Sequence, residues 1–176
     1  MIAVLLHNVR SAHNVGSIFR TADAAGVSTI YLTGVTPAPV DRFGRARKDI
    51  AKVALGAERS IPWEKKRSAH AVASALRGKG WRIVGVEQDA RARDYRSLRS
   101  RTKTLFVFGN EVSGLPRSVR DACDVLIEIP MRGAVVRQAH HPQHTGRGKE
   151  SLNVSVAAGI SMRPRPPCDP PRRGGG

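Results

Sequence analysis

Residues 2–33 have the sequence IAVLLHNVRSAHNVGSIFRTADAAGVSTIYLT, and this stretch predicts a complete strand–helix–strand unit. Residues 2–6 form a short apolar run that is typical of a buried strand. Residues 14–25 carry apolar side chains at helical spacing, and Gly26 follows as a typical residue just beyond a helix C-terminus. Residues 28–33 are rich in β-branched and aromatic residues and predict the next strand. A helix between two apolar strands is the connection that parallel strands require.

The rest of the chain continues this alternation of helices and strands. Helices are predicted at residues 46–55, 66–76, 116–122 and 151–161, the last with Ser151 as its N-cap, and strands at residues 81–86, 104–108 and 125–129. This order predicts an α/β fold with a mainly parallel sheet flanked by helices.

The length of 176 residues suits one domain followed by a tail. Residues 1–162 are predicted to form that domain. Within it, residues 134–148 are polar and basic and lack periodicity, which predicts a loop insertion. Residues 163–176 are rich in Pro, Arg and Gly and predict a disordered tail.

The charge of the chain indicates its class of partner. Thirty Lys and Arg against 14 Asp and Glu give a formal net charge of +16, which attracts polyanions such as nucleic acids. No apolar run approaches the ~20 residues of a membrane span, and no secretory signal follows Met1, so we expect a cytoplasmic protein without membrane contact. Cys123 and Cys168 lack the paired spacing of a metal or redox site and are expected to be reduced.

Three patches of polar and glycine residues follow predicted strands, where open α/β sheets bind their ligands. Residues 13–23 read HNVGSIFRTAD, and we expect Asn14 and Arg20 to project from the first turns of a helix near its positive end. Residues 108–116 read FGNEVSGLP, whose two glycines allow close approach of the backbone to a ligand. The third patch, residues 129–133 and 149–155, places Asn153 at the start of a small apolar helix.

In this order, the patches resemble the three motifs of the SpoU-type (TrmH-like) RNA 2′-O-ribose methyltransferases of the SPOUT superfamily. The resemblance runs from about residue 4 to residue 160 and includes residues 84–88 and 94–98. It implies a sheet whose C-terminal end is threaded into a trefoil knot, and a homodimer with its site near the subunit interface. It also implies S-adenosylmethionine as cofactor and a structured RNA, tRNA or rRNA and not DNA, as substrate.

The resemblance assigns roles to individual residues of this chain. The cofactor is expected to be held mainly by backbone, at Gly109, Ile129, Met131 and Leu152, with Ser151 beside them. The family's essential arginine corresponds to Arg20, and its motif Asn, Glu, Ser and Asn correspond to Asn14, Glu111, Ser151 and Asn153.

Arg20 is expected to act through its charge. A guanidinium with a pKa above ~12 is a poor proton acceptor, so Arg20 is expected to bind the 2′-oxygen or the adjacent phosphate and to stabilise the developing alkoxide. Glu111 and Asn153 are expected to position Arg20 or the ribose, and Asn14 is expected to contact RNA or order its motif.

The alternative is a catalytically inactive RNA-binding protein of the same fold. The family pattern runs from Met-Arg-Gly almost directly into Lys-Glu-Ser-Leu-Asn, whereas residues 134–148 separate these segments here and would disrupt the cofactor site. A generic α/β binding module would explain the charge and the sheet but not the three motifs. His140, His141 and His144 have no nearby Cys, Asp or Glu, so no metal site is predicted.

Overall fold

A seven-stranded sheet runs through the part of the chain that the structure, a computed structural model, describes: residues 1–98, 103–130 and 152–162. Its strands β1 to β7 are, in chain order, Ile2–His7, Thr29–Thr33, Trp63–Lys66, Arg82–Val86, Arg93–Asp94, Thr104–Phe108 and Val125–Glu128. They lie in the order β3-β2-β1-β6-β4-β7-β5, and each neighbouring pair is parallel. The predicted α/β fold with a mainly parallel sheet is therefore confirmed.

Helices cover both faces of the sheet. The helices α1 to α6 are Ala12–Ala24, Lys48–Ala54, Ala57–Ser60, Ala69–Arg77, Arg117–Asp121 and Val154–Ser161, and a 3₁₀ turn spans Tyr95–Ser97. Side chains of α1, α2, α3 and α6 belong to one hydrophobic cluster, whereas α4 and α5 contribute to a second cluster.

The two clusters meet opposite faces of the same strands. In β1, Ala3 and Leu5 belong to the cluster with α4 and α5, whereas Val4 and Leu6 belong to the cluster with α1. All four are at most 1% exposed. Alternate side chains of a strand point to opposite faces, so a strand covered on both sides needs an unbroken apolar run.

The first helix has well-defined ends and a close neighbour. The hydroxyl of Ser11, its N-cap, accepts a hydrogen bond from the amide of Asn14 at 3.2 Å. Gly26 follows the helix with a φ of +67°, a conformation that glycine adopts without strain. A Cβ on Gly16 would lie 2.8 Å from the carbonyl oxygen of Ile50, so glycine permits the close approach of α1 and α2.

One predicted helix starts later than expected, and two strands, β3 and the two-residue β5, were not predicted. The helix predicted at residues 66–76 begins at Ala69, because the hydroxyl of Ser68 caps it by accepting a hydrogen bond from the amide of Ala71. The preceding residues form β3 at the edge of the sheet, where three of its four side chains are exposed. An edge strand with so little burial shows no apolar run in the sequence.

The last helix corrects two further predictions. It begins at Val154 and not at residue 151, because Asn153 is its N-cap and accepts a hydrogen bond from the amide of Ser155 at 2.8 Å. The prediction of Ser151 as N-cap is therefore wrong. The expectation for Arg20 is also wrong in position, since it lies in the third turn of α1 and not near its N-terminus.

The predicted loop insertion at residues 134–148 and the predicted tail at residues 163–176 lie outside the described residues, and the predicted C-terminal trefoil knot remains a prediction. Within the described ranges, no helix is both long and apolar enough to cross a membrane.

Candidate active site

The sheet has a topological switch point, where connections from neighbouring parallel strands lead to opposite sides. The strands β1 and β6 are neighbours, but the chain leaves β1 towards β2 and leaves β6 towards β7 on the other side. Open α/β sheets bind ligands at the carboxyl ends of strands at such a point. Residues 8–14, which lead into the first predicted patch, follow β1, and residues 109–116, which make up most of the second patch, follow β6.

The loop after β6, residues 109–114, is held in shape by Asn110. The side-chain oxygen of Asn110 accepts hydrogen bonds from the amides of Val112 at 2.9 Å and Ser113 at 3.0 Å. Its side-chain nitrogen donates to the carbonyl oxygen of Asn8 at 2.9 Å, which ties the loop to the end of β1. The sequence analysis did not single out Asn110, although it lies inside the second patch.

Glu111 reaches across to the segment that enters α1. Its carboxylate accepts hydrogen bonds from the amides of Arg10 and Ser11, both at 3.3 Å, and from the side-chain nitrogen of Asn14 at 3.0 Å. Partial burial raises the pKa of Glu111, but these hydrogen bonds outweigh burial and hold the pKa below its ordinary value. Glu111 is therefore an ionised, acceptor-only anchor and is poorly suited to take up a proton.

Asn14 connects Glu111 to the last helix. The side-chain nitrogen of Asn153 donates to the side-chain oxygen of Asn14 at 3.3 Å. Since the carboxylate of Glu111 can only accept, Asn14 must turn its nitrogen to Glu111 and its oxygen to Asn153. The structure thus brings together three predicted site residues, one from each patch, in a directed chain from Asn153 through Asn14 to Glu111.

Arg20 lies apart from this chain. It is exposed, whereas Asn14 on the same helix is only 8% exposed. Arg20 follows Asn14 by six positions, which correspond to about 600° of helical rotation and put the two side chains on different faces. Among the described residues, Arg20 has no hydrogen-bonding or salt-bridge partner, so its guanidinium remains available to an external anion.

A cleft of about 250 Å³ lies beside the loop at residues 109–114. It is lined by the ends of β4, β6 and β7 and by the start of α6, and we call it the acidic cleft. Three residues predicted to bind the cofactor, Gly109, Ile129 and Leu152, line it. Met131 and Ser151, predicted for the same role, lie outside the described residues.

The charge of the acidic cleft is opposite to that of the chain. Glu87, Glu111 and Glu128 line it, and no described lining residue is Lys, Arg or His. In a protein with a net charge of +16, this lining disfavours phosphate groups and favours a ligand that carries positive charge.

Glu87 is a site residue that the sequence analysis missed. Its carboxylate accepts a hydrogen bond from the amide of Leu115 at 2.6 Å. Burial raises the pKa of Glu87, and backbone hydrogen bonds oppose that rise only in part. The available signal was the position of Glu87 directly after β4, since the carboxyl end of β4 lies on the same side of the sheet as the three patches.

The two glycines of the loop are required by close contacts. A Cβ on Gly109 would lie 2.5 Å from the carbonyl carbon of Gly114. A Cβ on Gly114, which has a φ of +65°, would lie 2.4 Å from a carboxylate oxygen of Glu87. The loop can therefore fold against the strand ends only with glycine at both positions.

A second, wider cleft of about 620 Å³ lies on the other side of the same loop, and we call it the open cleft. Asn14 and Asn153 line it, together with Arg10 and Ser11. Residues 110–113 line both clefts and thus form a shared wall. The two clefts are therefore immediate neighbours.

Other reactive groups are absent from the described site. The described residues contain no cluster of His, Cys, Asp and Glu that could hold a metal ion, and the three histidines of the insertion lie outside them. Cys123 is a free thiol, and burial raises its pKa to about 12, so it is protonated and unreactive. Cys168 lies outside the described residues.

Comparison with known proteins identifies the family. The sequence profile described as the SpoU rRNA Methylase family matches residues 1–137. The chain belongs to the SpoU rRNA methylase family. The resemblance drawn from the three motifs is thereby confirmed.

Relatives within the family extend the match along the chain. A protein of the TrmH family of tRNA/rRNA methyltransferases from Staphylococcus haemolyticus is 33% identical over 159 residues, which cover 90% of this chain and 55% of that protein. The chain therefore spans about half the length of this curated relative.

Solved structures of SpoU-type enzymes share the fold. An rRNA methyltransferase from Sinorhizobium meliloti with bound S-adenosylmethionine is 30% identical, with a TM-score of 0.72 over 92% of this chain and 54% of that one. A structure described as giving insight into 2-OH methylation of C/U34 on tRNA is 25% identical, with a TM-score of 0.68 over 92% of this chain and 91% of that one. These similarities confirm the SPOUT class of the fold.

Proposed function

We propose that this protein is an S-adenosylmethionine-dependent enzyme that methylates a ribose 2′-hydroxyl of tRNA or rRNA, and that it acts as a cytoplasmic homodimer. The observation that carries the proposal is the hydrogen-bond chain from Asn153 through Asn14 to Glu111. It joins the three family motifs at the wall between the acidic cleft and the open cleft. Neighbouring clefts suit a transferase, because donor and acceptor must be bound within reach of each other.

The acidic cleft fits S-adenosylmethionine. Gly109 brings backbone to the cleft without a side chain, and Leu152 and Val154 give it apolar surface for a base. The carboxylates of Glu87, Glu111 and Glu128 suit the positive charge of a sulfonium. When bound, this cofactor supplies an electrophilic methyl group.

The open cleft suits the ribose and its phosphate. It is wider than the acidic cleft, and Arg10 at its rim is exposed and can neutralise a phosphate. The amides of Asn14 and Asn153 line the cleft and can orient a ribose hydroxyl. The net charge of +16 supports affinity for the RNA backbone.

The site residues orient groups and do not take the proton themselves. Glu111 is ionised and engaged with three donors, so it fixes Asn14 and the segment entering α1. Asn153 holds Asn14 from the other side. We assign Arg20, which is exposed and unpaired among the described residues, to the substrate phosphate or the 2′-oxygen.

The domain that would carry this activity spans residues 1–162. We propose that residues 134–148 leave it as a surface loop, because closure of a long loop between ends that already meet adds only ~0.6 kcal/mol per doubling of length. The C-terminal part of the domain would form the trefoil knot, with Met131 and Ser151 completing the cofactor site. Residues 163–176 would follow as a disordered tail.

The experiment that tests the function is transfer of labelled methyl from S-adenosylmethionine into total tRNA and total rRNA. Nuclease digestion of the labelled RNA should then yield a 2′-O-methylated nucleotide and identify its base. RNA binding without incorporation, at low salt and at high protein concentration, would instead support the inactive RNA-binding protein.

A second arm tests the assignment of Arg20. The substitution Arg20→Ala should abolish transfer while the Kd for S-adenosylmethionine stays within about twofold, since Arg20 lies outside the acidic cleft. An equal loss of transfer and of cofactor binding would contradict the assignment.

A further inference from the structure

The connection between β2 and α2 carries a tightly built hairpin tip. Val40 and Ala46 form an antiparallel bridge at its base. The side chain of Asp41 accepts hydrogen bonds from the amides of Phe43 at 2.8 Å and Arg45 at 3.0 Å. These bonds, above all the one from Arg45, lower the pKa of Asp41. The tip, residues 41–45, is therefore a fixed turn with its own acceptor inside.

Phe43 at this tip is exposed, unlike the other phenylalanines of the chain. Phe43 is 66% exposed, whereas Phe19, Phe106 and Phe108 are at most 2% exposed. Nothing in the local turn requires an aromatic side chain, because the turn is held by Asp41 and backbone groups. A ring that a fixed turn holds in solvent is available to stack on a partner.

Two arginines lie against the ring. The guanidinium carbon of Arg42 is 4.7 Å from the ring centroid of Phe43, and that of Arg45 is 5.0 Å from it. Arg45 also forms a salt bridge with Asp41 at 2.9 Å. Arg42 has no carboxylate partner among the described residues, so its charge is available to an anion.

The tip lies at the sheet edge that carries the site. It follows the carboxyl end of β2, which pairs with β1. Thr36, in the same connection, donates to the carbonyl oxygen of Leu6 at 3.1 Å and accepts from the amide of Val9 at 3.1 Å. The connection is thus fastened to the segment that leads into Arg10 and Asn14.

We infer that Phe43 stacks on an unpaired base of the substrate RNA while Arg42 binds a neighbouring phosphate. This inference rests on the proposed function, which supplies the RNA. Aromatic rings and guanidinium planes are the surfaces on which proteins stack single-stranded bases. A base that stacks on Phe43 displaces one exposed guanidinium from the ring, and the free guanidinium of Arg42 is then beside the backbone of the same strand. The free charge of Arg42 and the net charge of +16 favour RNA over a protein partner, because both attract a polyanion.

The test is binding of a single-stranded oligoribonucleotide and of a fully paired RNA of the same length, measured without S-adenosylmethionine. The substitution Phe43→Ala should weaken binding of the single strand about tenfold and leave the duplex nearly unchanged. Phe43→Leu, which keeps apolar area but loses the ring face, should weaken it nearly as much. Phe43→Trp should keep the wild-type affinity, and the fluorescence of the added tryptophan should be quenched by the single strand.

A charge variant tests the second part of the inference. Arg42→Gln should reduce the slope of log Kd against log salt by about 0.7 for the single strand. The matched control is Lys79→Gln, an exposed cation before β4 at the opposite sheet edge, which should leave that slope unchanged.

Several results would overturn the inference. Wild-type affinity of Phe43→Ala for the single strand would do so, as would equal losses for single strand and duplex. A change of oligomeric state in Phe43→Ala, measured by light scattering, would assign the ring to a protein contact instead. Because binding is measured without cofactor, failure of methyl transfer alone would reject the proposed function and leave this result standing.

Discussion

Two loops at the carboxyl ends of the strands differ in how they pack and in which charges they present. The loop at residues 109–114 is folded tightly onto the strand ends, needs two glycines, and borders a cleft lined by three carboxylates. The hairpin tip at residues 41–45 projects a ring and two arginines into solvent. Both loops are held by an internal side-chain acceptor, Asn110 in the first and Asp41 in the second.

The difference shows how a basic protein can hold a cationic cofactor. A uniform positive surface would bind RNA but would also repel a sulfonium and invite phosphates into its pocket. Carboxylates confined to one cleft reverse the local charge, while the rest of the surface keeps its affinity for the RNA backbone. Under the proposed function, the carboxyl ends of the strands are thereby divided into a cofactor side and an RNA side.

The largest expected effect is a difference in salt dependence between the two sides. RNA affinity should fall roughly 10³-fold between 50 and 200 mM salt if about six phosphates are contacted. Affinity for S-adenosylmethionine should change less than about twofold, because its cleft releases no condensed counterions. Titrations of both ligands at several salt concentrations measure this difference. Equal slopes of log affinity against log salt for the two ligands would contradict a separate cofactor side.

Substitution of a loop glycine should disturb the cofactor side next most strongly. In Gly109→Ala the new Cβ would lie 2.5 Å from the carbonyl carbon of Gly114, so we expect a loss of ~2 kcal/mol in the free energy of unfolding and of most cofactor affinity. Gly78→Ala is the matched control, because its nearest contact is 3.6 Å away. Denaturant unfolding measures the stability of each variant, and calorimetric titration measures its cofactor affinity. Equal losses in the two variants would contradict a tight contact at Gly109.

The two carboxylates of the loop region should respond oppositely to pH. The pKa of Glu111 is lowered on folding, so its stabilisation is present above its ordinary pKa of 4.5 and is lost as the pH falls through its folded value. The pKa of Glu87 is raised, so its contribution is present below 4.5 and is lost as the pH rises through its folded value.

At pH 7, Glu111→Gln should therefore lose ~1 kcal/mol of unfolding free energy, a figure reduced by its partial exposure, and the loss should shrink below pH 4.5. Glu87→Gln should gain stability relative to the wild type as the pH rises above 4.5. Urea unfolding of the three proteins between pH 3 and pH 8 measures both trends, and trends of the same sign would refute the assignment.

The smallest effect is expected at the hairpin tip. Phe43→Ala should change the free energy of unfolding by less than ~0.5 kcal/mol, because the ring is 66% exposed and the turn is held by Asp41. Thermal unfolding measures this change. A loss comparable to that of a core phenylalanine would mean that the ring serves folding and not RNA.

The strands of the fold were predictable where burial requires an apolar sequence. The strands β1, β4 and β6 are covered on both faces, and each appears in the sequence as an apolar run. The edge strand β3 has the sequence WEKK and owes its structure to pairing with β2, which no local pattern records. The predicted starts of two helices were wrong for a related reason. Ser68 and Asn153 cap these helices because the chain turns there, and no local pattern records that turn.

The sequence predicted three residues of the candidate site but not the hydrogen bonds that connect them. Motif resemblance supplied Asn14, Glu111 and Asn153, yet their hydrogen-bond chain spans up to 139 positions of sequence. The roles of Asn110 and Glu87 depend on which amides a tight loop presents to them. Such contacts follow from tertiary structure and have no signature in spacing.

The most direct test of the proposed function compares methyl transfer and cofactor binding in the wild type and in Asn14→Ala, with folding checked by circular dichroism. We expect 2′-O-methylation of RNA by the wild type, and a fall in transfer of about 100-fold in Asn14→Ala with the cofactor Kd within about threefold. Undiminished transfer by Asn14→Ala, or no transfer by a wild type that binds both S-adenosylmethionine and RNA, would contradict it.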